Sequence, residues 1–187
     1  MPRRVECFAI SGLGWIFTAA GVKALDRLHD AISPVWDCTF SYHTGWEAIA
    51  DGIIARQERF RDEPVVCLIG HSYGALRCQQ IASRLHSHGI KTDYVAGIDP
   101  TALPPGHPPM VIPRSVLEVD EFHSMKWFFN FPYAARKRDP EGFAGGMYLY
   151  SPEVDHTVHK INTGHIATAR DPLTVETIVN RVKELTQ

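Results

Sequence analysis

The chain has 187 residues, of which 44% are hydrophobic and 21% are charged, and its formal net charge is −2. This size suits one hydrophobic core, and we expect residues 1–187 to form a single domain. The nearly neutral charge provides no basic surface for nucleic acid and no block of like charge for a membrane. Binding to nucleic acid is therefore not expected.

The cysteines and histidines do not indicate a metal site. The four cysteines are widely spaced and form no C-x-x-C pair, which argues against zinc or redox motifs and favours a reducing cytoplasm. Two histidine pairs, His86 with His88 and His156 with His159, lack a third ligand nearby in the sequence. We therefore predict no bound metal.

The N-terminus is not a clear signal peptide. Two arginines precede an apolar stretch, but Glu6 and the turn Gly12–Gly14 interrupt it. No segment approaches the ~18 consecutive apolar residues of a membrane span. We expect a soluble, cytoplasmic protein.

Apolar runs and helical periodicities alternate along the chain. The predicted strands cover 5–10, 35–42, 65–69, 93–98, 115–120 and 154–161. The predicted helices cover 18–31, 44–60, 75–88 and 172–185. Glu47 stands three residues after Thr44, which predicts a capping box at the start of the second helix.

Strands such as Val65–Ile69 are continuous apolar, β-branched runs, which are typical of a sheet buried on both faces. The alternation of strands and helices predicts an α/β fold with an open, mostly parallel sheet and helices on both faces. In such sheets the chemistry collects at the carboxyl ends of the strands.

The segment Gly70-His71-Ser72-Tyr73-Gly74 matches G-x-S-x-G, with a predicted strand before it and a predicted helix after it. This context is that of a nucleophile elbow, where a sharp turn exposes the serine hydroxyl and only small residues fit two positions to either side. The pattern predicts Ser72 as a nucleophile.

A serine nucleophile needs a base, which an acid in turn orients. His165 follows the last predicted strand in a glycine turn and is the favoured base, whereas His156 and His159 lie within that strand and are interpreted as structural. Two carboxylates lie at predicted strand ends. Asp99 is preferred as the acid, and Asp120 is the alternative.

Acyl transfer also needs hydrogen-bond donors for the developing oxyanion. The backbone N–H of Tyr73 lies directly after the nucleophile at a helix N-terminus. The second donor is expected in the glycine turn after the first strand, from Gly12 or Leu13.

Together, these motifs resemble the α/β-hydrolase superfamily, especially its compact lipase-like and thioesterase-like members. The likeness rests on Gly12-Leu13-Gly14, Gly70-His71-Ser72-Tyr73-Gly74-Ala75, Gly97-Ile98-Asp99-Pro100 and Gly164-His165. In lipases a motif similar to Gly-Ile-Asp-Pro contains the acid of the catalytic triad, so the resemblance favours Asp99. The chain departs from the family pattern in opening directly with the strand before the oxyanion turn, and no large cap domain fits between Asp99 and His165.

The resemblance implies a serine hydrolase that cleaves carboxylic esters or thioesters, with a small-molecule acyl substrate and no cofactor. An aromatic group either lines an acyl site or fills the core: Trp15, Tyr73, Trp127, Phe128, Phe129 and Phe131. We predict short or medium acyl chains. The alternatives are a binding protein that retains the fold without catalysis, and an acyltransferase or amidase that uses the same residues. The oligomeric state is not predicted.

Overall fold

The computed structural model describes residues 4–12, 25–32, 38–100, 110–126, 148–149 and 152–187. Its strands are β1 Val5–Ser11, β2 Cys38–Tyr42, β3 Val65–His71, β4 Thr92–Ile98, β5 Met110–Val111, β6 Val116–Ser124, β7 Tyr148–Leu149 and β8 Asp155–Ile161. Its helices are α1 Asp26–Ile32, α2 Trp46–Phe60, α3 Tyr73–Ser87, α4 His165–Thr168 and α5 Pro172–Thr186, and a short 3₁₀ turn, His43–Gly45, precedes α2.

Six strands form one sheet in the order β2-β1-β3-β4-β6-β8, and every neighbouring pair is parallel. A separate pair, β5 and β7, is also parallel. All residues of β3 and β4 are buried, as expected for central strands that are covered on both faces. The predicted parallel sheet with helices on both faces is therefore confirmed.

Helices α2 and α3 cover one face of the sheet, and α1 and α5 cover the other. Alternate residues of each strand point to opposite faces, so neighbours on β3 such as Leu68 and Ile69 belong to two different apolar clusters. Leu68 packs with residues of α2 and α3, whereas Ile69 packs with residues of α1 and α5. Within the described ranges, no helix has the length and apolarity needed to cross a membrane.

The strand order reverses between β1 and β3. After β1 the chain crosses to β2 on one side, and after β2 it returns to β3 on the other side of β1. Such a reversal opens a crevice at the carboxyl ends of the two strands, where ligands bind in open α/β sheets. Gly12 follows β1 and Ser72 follows β3, so two of the predicted site residues lie at this crevice.

The end of β6 and the start of α2 differ from their predictions. Strand β6 continues to Ser124, four residues beyond the predicted end, so Asp120 lies inside the strand and not at its carboxyl end. The capping box is wrong, because Gly45 is the N-cap of α2 and no side chain caps it. The 3₁₀ turn takes up Thr44 and displaces the start of the helix. Residues 18–24 and the aromatic segment 127–133 lie outside the described ranges.

Candidate active site

Ser72 stands at the turn between β3 and α3 and is the N-cap of that helix. Its φ is 58° and its ψ is −122°, a combination that L-residues rarely adopt. Its backbone N–H donates to the carbonyl oxygen of Ile98, at 2.9 Å. The strained backbone is the geometry that the nucleophile elbow requires.

The two glycines of the motif are needed because other backbone atoms approach them closely. A Cβ at Gly70 would lie 2.6 Å from the Cα of Ala75, and a Cβ at Gly74 would lie 2.1 Å from the carbonyl oxygen of Ile10. Real Cβ atoms do not approach other atoms so closely. The elbow therefore folds tightly only with glycine at both positions.

Gly12, directly after β1, lies against Ser72. A Cβ at Gly12 would lie 2.8 Å from Cβ of Ser72 and 3.1 Å from its Oγ. Tyr73 is the first residue of α3, where backbone N–H groups lack carbonyl partners within the helix. Two of the three predicted oxyanion positions, Gly12 and Tyr73, thus flank Ser72. Leu13 lies outside the described residues.

Asp99 follows β4 with a positive φ of 44° and is fully buried. Ser124, the last residue of β6, donates to its carboxylate twice. The backbone N–H bonds Oδ1 at 3.2 Å and the hydroxyl bonds Oδ2 at 2.7 Å. These bonds and the backbone position fix the carboxylate in one orientation.

His165 meets that carboxylate directly. Its Nδ1 lies 2.6 Å from Oδ2 of Asp99, and the side chain of His165 is 38% exposed, whereas that of Asp99 is 1% exposed. Since a carboxylate accepts hydrogen bonds, Nδ1 carries a proton, and in the neutral imidazole Nε2 then has the lone pair. His165 is also the first residue of α4, with Gly164 as the N-cap. The structure therefore brings Asp99 and His165 together as the sequence predicts.

Asp120 has different partners. Its Oδ2 accepts a hydrogen bond from the hydroxyl of Tyr94 at 2.8 Å, and its Oδ1 lies 2.7 Å from Nε2 of His159. The ring of His159 stacks on Phe122 with centroids 4.5 Å apart. The hydrogen bonds of Asp120 thus go to Tyr94 and His159 within the sheet. This pairing agrees with the structural interpretation of His159.

Sequence reasoning missed two residues that hold this group of side chains. Ser124 was hidden because the predicted strand ended at Asp120. His71 was passed over as the variable residue of the motif, although it is only 3% exposed and its Nε2 lies 3.0 Å from the carbonyl oxygen of His165. The signal for His71 was its polarity at the end of an otherwise apolar central strand.

The side of α3 near Tyr73 carries a cation held between two aromatic rings. The guanidinium of Arg77 lies 4.7 Å from the ring centroid of Tyr73 and 5.8 Å from that of Trp46. Both rings pack against the core on the α2 and α3 face. Of the aromatic group expected to line an acyl site, Tyr73 is the member that the structure describes.

Backbone hydrogen bonds tie the turn after each of three strands to the next strand of the sheet. The N–H groups of the turn residues donate to carbonyl oxygens at the ends of the neighbouring strands. These bonds join Ser72 to Ile98 (2.9 Å), Asp99 to Phe122 (2.6 Å) and Met125 to Ile161 (2.8 Å).

Solved structures share this architecture over nearly the whole chain. A protein from Xanthomonas campestris pv. campestris, assigned to the alpha/beta hydrolase superfamily, is 13% identical with a TM-score of 0.54, over 97% of this chain and 99% of its own. The thioesterase RedJ of prodiginine biosynthesis in Streptomyces coelicolor is 14% identical with a TM-score of 0.54, over 98% of this chain and 90% of its own.

A metagenome-derived lipolytic enzyme of the pair LipS and LipT is 10% identical with a TM-score of 0.57, over 99% of this chain and 94% of its own. No protein-family model matches the sequence, and no curated protein matches it. At these identities the likeness is one of fold. This chain has the fold of the α/β-hydrolase superfamily.

Proposed function

We propose that this protein is a serine hydrolase that cleaves carboxylic esters or thioesters through an acyl-enzyme on Ser72. One observation carries the proposal: a buried carboxylate, Asp99, bonds Nδ1 of His165 at 2.6 Å at the strand edge where the strained Ser72 stands. The sheet holds another histidine–carboxylate pair, His159 with Asp120. His165 differs because its backbone carbonyl contacts His71, the chain neighbour of Ser72. The arrangement suits a general base, because such a base must keep one tautomer and become charged during the reaction.

In the first half of the reaction, Nε2 of His165 takes the hydroxyl proton of Ser72 as Oγ attacks the acyl carbon. The tetrahedral oxyanion is bound by the backbone N–H of Tyr73 and by a second N–H from the turn Gly12–Leu13. Asp99 stabilises the imidazolium that has formed. Collapse of the intermediate breaks the bond to the alcohol or thiol, which leaves with the proton from Nε2.

In the second half, water replaces the alcohol or thiol. Nε2 of His165 takes a proton from the water as its oxygen attacks the acyl carbon on Ser72. Collapse of the second tetrahedral intermediate returns that proton to Oγ and releases the carboxylic acid. Both halves use only side chains and backbone N–H groups, so the proposal needs no cofactor.

The comparisons support ester and thioester substrates at the level of class. RedJ is a thioesterase, and LipS and LipT are lipolytic enzymes. Both kinds of enzyme transfer an acyl group from oxygen or sulfur to water. We propose short or medium acyl chains for this protein on the basis of the aromatic residues in its sequence, of which the structure describes Tyr73.

The test is labelling with a fluorophosphonate probe, which reacts with activated serines. We expect the probe on Ser72, found by mass spectrometry, and no labelling in Ser72→Ala. Wild-type protein that has not been treated with the probe should hydrolyse p-nitrophenyl or thioester substrates with acyl chains between C2 and C12, and labelling should abolish this activity. A folded wild-type protein that neither labels nor turns over would favour a binding protein with this fold.

The products distinguish hydrolysis from the related chemistry. If the acyl group of a labelled substrate passes to an added alcohol or amine in preference to water, the protein is an acyltransferase. If amides are cleaved faster than the matched esters, it is an amidase. A free carboxylic acid formed from an ester or thioester in water supports the proposal.

A further inference from the structure

His71 lies at the junction of the nucleophile and the base. It is the last residue of β3, and its chain neighbour is Ser72. Its side chain leaves the sheet towards α4, where Nε2 lies 3.0 Å from the backbone carbonyl oxygen of His165. The two imidazole rings also face each other, with centroids 4.7 Å apart and planes tilted by 35°.

The chemistry of this contact fixes the state of His71. A carbonyl oxygen only accepts hydrogen bonds, so Nε2 of His71 carries the proton and donates. Burial, reinforced by the nearby His165, lowers the pKa of His71 from 6.5 to about 3. His71 is therefore a neutral donor of fixed tautomer throughout the pH range in which a histidine base operates.

We propose that His71 is the positioning residue of the base, which it holds through a hydrogen bond to the backbone carbonyl of His165. The proposal rests on the proposed function, because His165 has a base to position only if Ser72 is a nucleophile. Asp99 then fixes the ring of His165 at Nδ1, and His71 fixes its backbone.

The location of His165 explains why a second attachment matters. His165 begins a helix of only four residues, and its side chain is 38% exposed, so packing alone restrains it weakly. A displacement of about 1 Å between reacting groups can cost on the order of 10²-fold in rate. His71 directly precedes Ser72 in the chain. The hydrogen bond from His71 to the carbonyl oxygen of His165 therefore fixes the position of the base relative to the nucleophile.

The neutrality of His71 also suits the reaction. His165 becomes an imidazolium when it accepts the proton of Ser72, and a cation with its ring centroid 4.7 Å away would oppose that charge. A buried neutral imidazole supplies an N–H donor without that repulsion. Lysine or arginine at position 71 would supply donors as well, but with a permanent charge.

The experiment compares two substitutions at position 71. His71→Phe keeps a flat ring and removes the donor, and His71→Gln places an amide N–H at a reach similar to Nε2. We expect His71→Phe to lower kcat by about 10- to 100-fold with KM changed less than about twofold, and to slow fluorophosphonate labelling equally. His71→Gln should recover most of the loss. His159→Gln, which alters the histidine paired with Asp120, is the matched control and should keep wild-type kcat.

A folded His71→Phe protein with wild-type kcat, or a His71→Gln protein no better than His71→Phe, would overturn the positioning role while leaving the proposed function intact. A wild-type protein that neither labels nor turns over esters would instead remove the proposed function. If His71→Phe fails to fold, long-range ¹H–¹⁵N spectra of wild-type protein with ¹⁵N-labelled histidine give the tautomer of His71. A proton on Nε2 of His71 supports the hydrogen bond to the carbonyl oxygen of His165. A proton on Nδ1 and none on Nε2 contradicts it.

Discussion

At the scale of single residues, Asp99 combines a backbone torsion with a set of side-chain bonds. Its positive φ turns the chain at the end of β4, and its N–H donates to Phe122 O at 2.6 Å. The carboxylate then faces both Ser124 and His165. Because these constraints act together, the carboxylate has little freedom to move.

Substitution separates the two candidate acids. Asp99→Asn keeps the shape and removes the charge that holds the Nδ1–H tautomer of His165, so we expect kcat to fall on the order of 10⁴-fold. Asp120→Asn should leave kcat within about threefold, since Asp120 bonds Tyr94 and His159. Steady-state kinetics on one ester checks both variants. Equal losses in the two would contradict the assignment of the acid.

The hydroxyl of Ser124 offers a milder test of the same carboxylate. Ser124→Ala removes the donor that lies 2.7 Å from Oδ2 of Asp99 but keeps the backbone N–H bond to Oδ1. A hydrogen bond to a charged group contributes about 1.5–3 kcal/mol, so we expect kcat to fall about 10- to 100-fold. Thermal unfolding should confirm that the variant remains folded. An unchanged kcat would show that Asp99 is positioned without the hydroxyl.

The buried His71 predicts a pH dependence of stability. Its pKa is lowered from 6.5 to about 3 in the folded protein, so below pH ~6.5 the unfolded chain binds a proton that the folded chain does not. The contribution of His71 is complete above that pH and is lost as the pH falls towards 3.

Urea unfolding at two pH values measures this loss. With a slope of at most about 1.4 kcal/mol per pH unit, wild type should lose about 2 kcal/mol more than His71→Gln between pH 7 and pH 5. His71→Gln has no titrating group at the position and serves as the control. If both proteins lose the same amount, the folded pKa of His71 is not depressed.

At the scale of elements, the elbow joins β3 to α3 with no room for side chains at its two glycines. Gly74→Ala would place a Cβ 2.1 Å from Ile10 O on β1, which forces the helix and the strand apart. We expect loss of the folded protein or a fall in Tm of more than about 8 °C. Gly52→Ala in α2 is the control, because its Cβ would meet only the flexible end of Arg56, at 3.1 Å.

The Tm of the control variant, Gly52→Ala, should not fall. Alanine is favoured over glycine in a helix interior by about 1 kcal/mol, so Gly52→Ala should keep or raise Tm. Differential scanning calorimetry of the two variants gives the comparison. A Gly74→Ala protein with wild-type Tm would mean that the elbow has more space than the structure shows.

Helix ends show what local sequence can and cannot predict. At α5, Asp171 accepts from the N–H of Leu173, and Pro172 is the first residue of the helix, where the predicted range 172–185 also begins. At α2 the predicted cap fails, because Thr44 belongs to a 3₁₀ turn that leads from β2 into the helix. The difference is that a proline fixes its own φ, whereas a threonine caps a helix only if the preceding chain gives it the backbone conformation of an N-cap.

At the scale of the whole molecule, the sequence predicts the sheet because its strands are continuous apolar runs with helices between them. It also predicts that Asp99 or Asp120 lies near His165, with Asp99 preferred, since all three are expected to follow strands whose carboxyl ends meet at one edge. The strand ends alone do not choose between the two acids, and the resemblance to lipases favours Asp99. It does not predict Ser124, because Glu121 and His123 make the end of β6 look like a polar loop. Both side chains are in fact buried, and they pair with each other at 2.9 Å. Buried polar partners of this kind become visible only in three dimensions.

The hydrogen bonds that link each strand end to its neighbour have a consequence for how this protein can change. Ser72 and Asp99 are held by the carbonyl oxygens of Ile98 and Phe122, which belong to the sheet. Neither bond involves the segments 101–109 and 127–147 that follow β4 and β6. Changes of sequence outside the sheet can therefore leave the backbone positions of Ser72 and Asp99 unaltered. We expect Ser72 and Asp99 to keep their relative position for as long as β3, β4 and β6 remain paired.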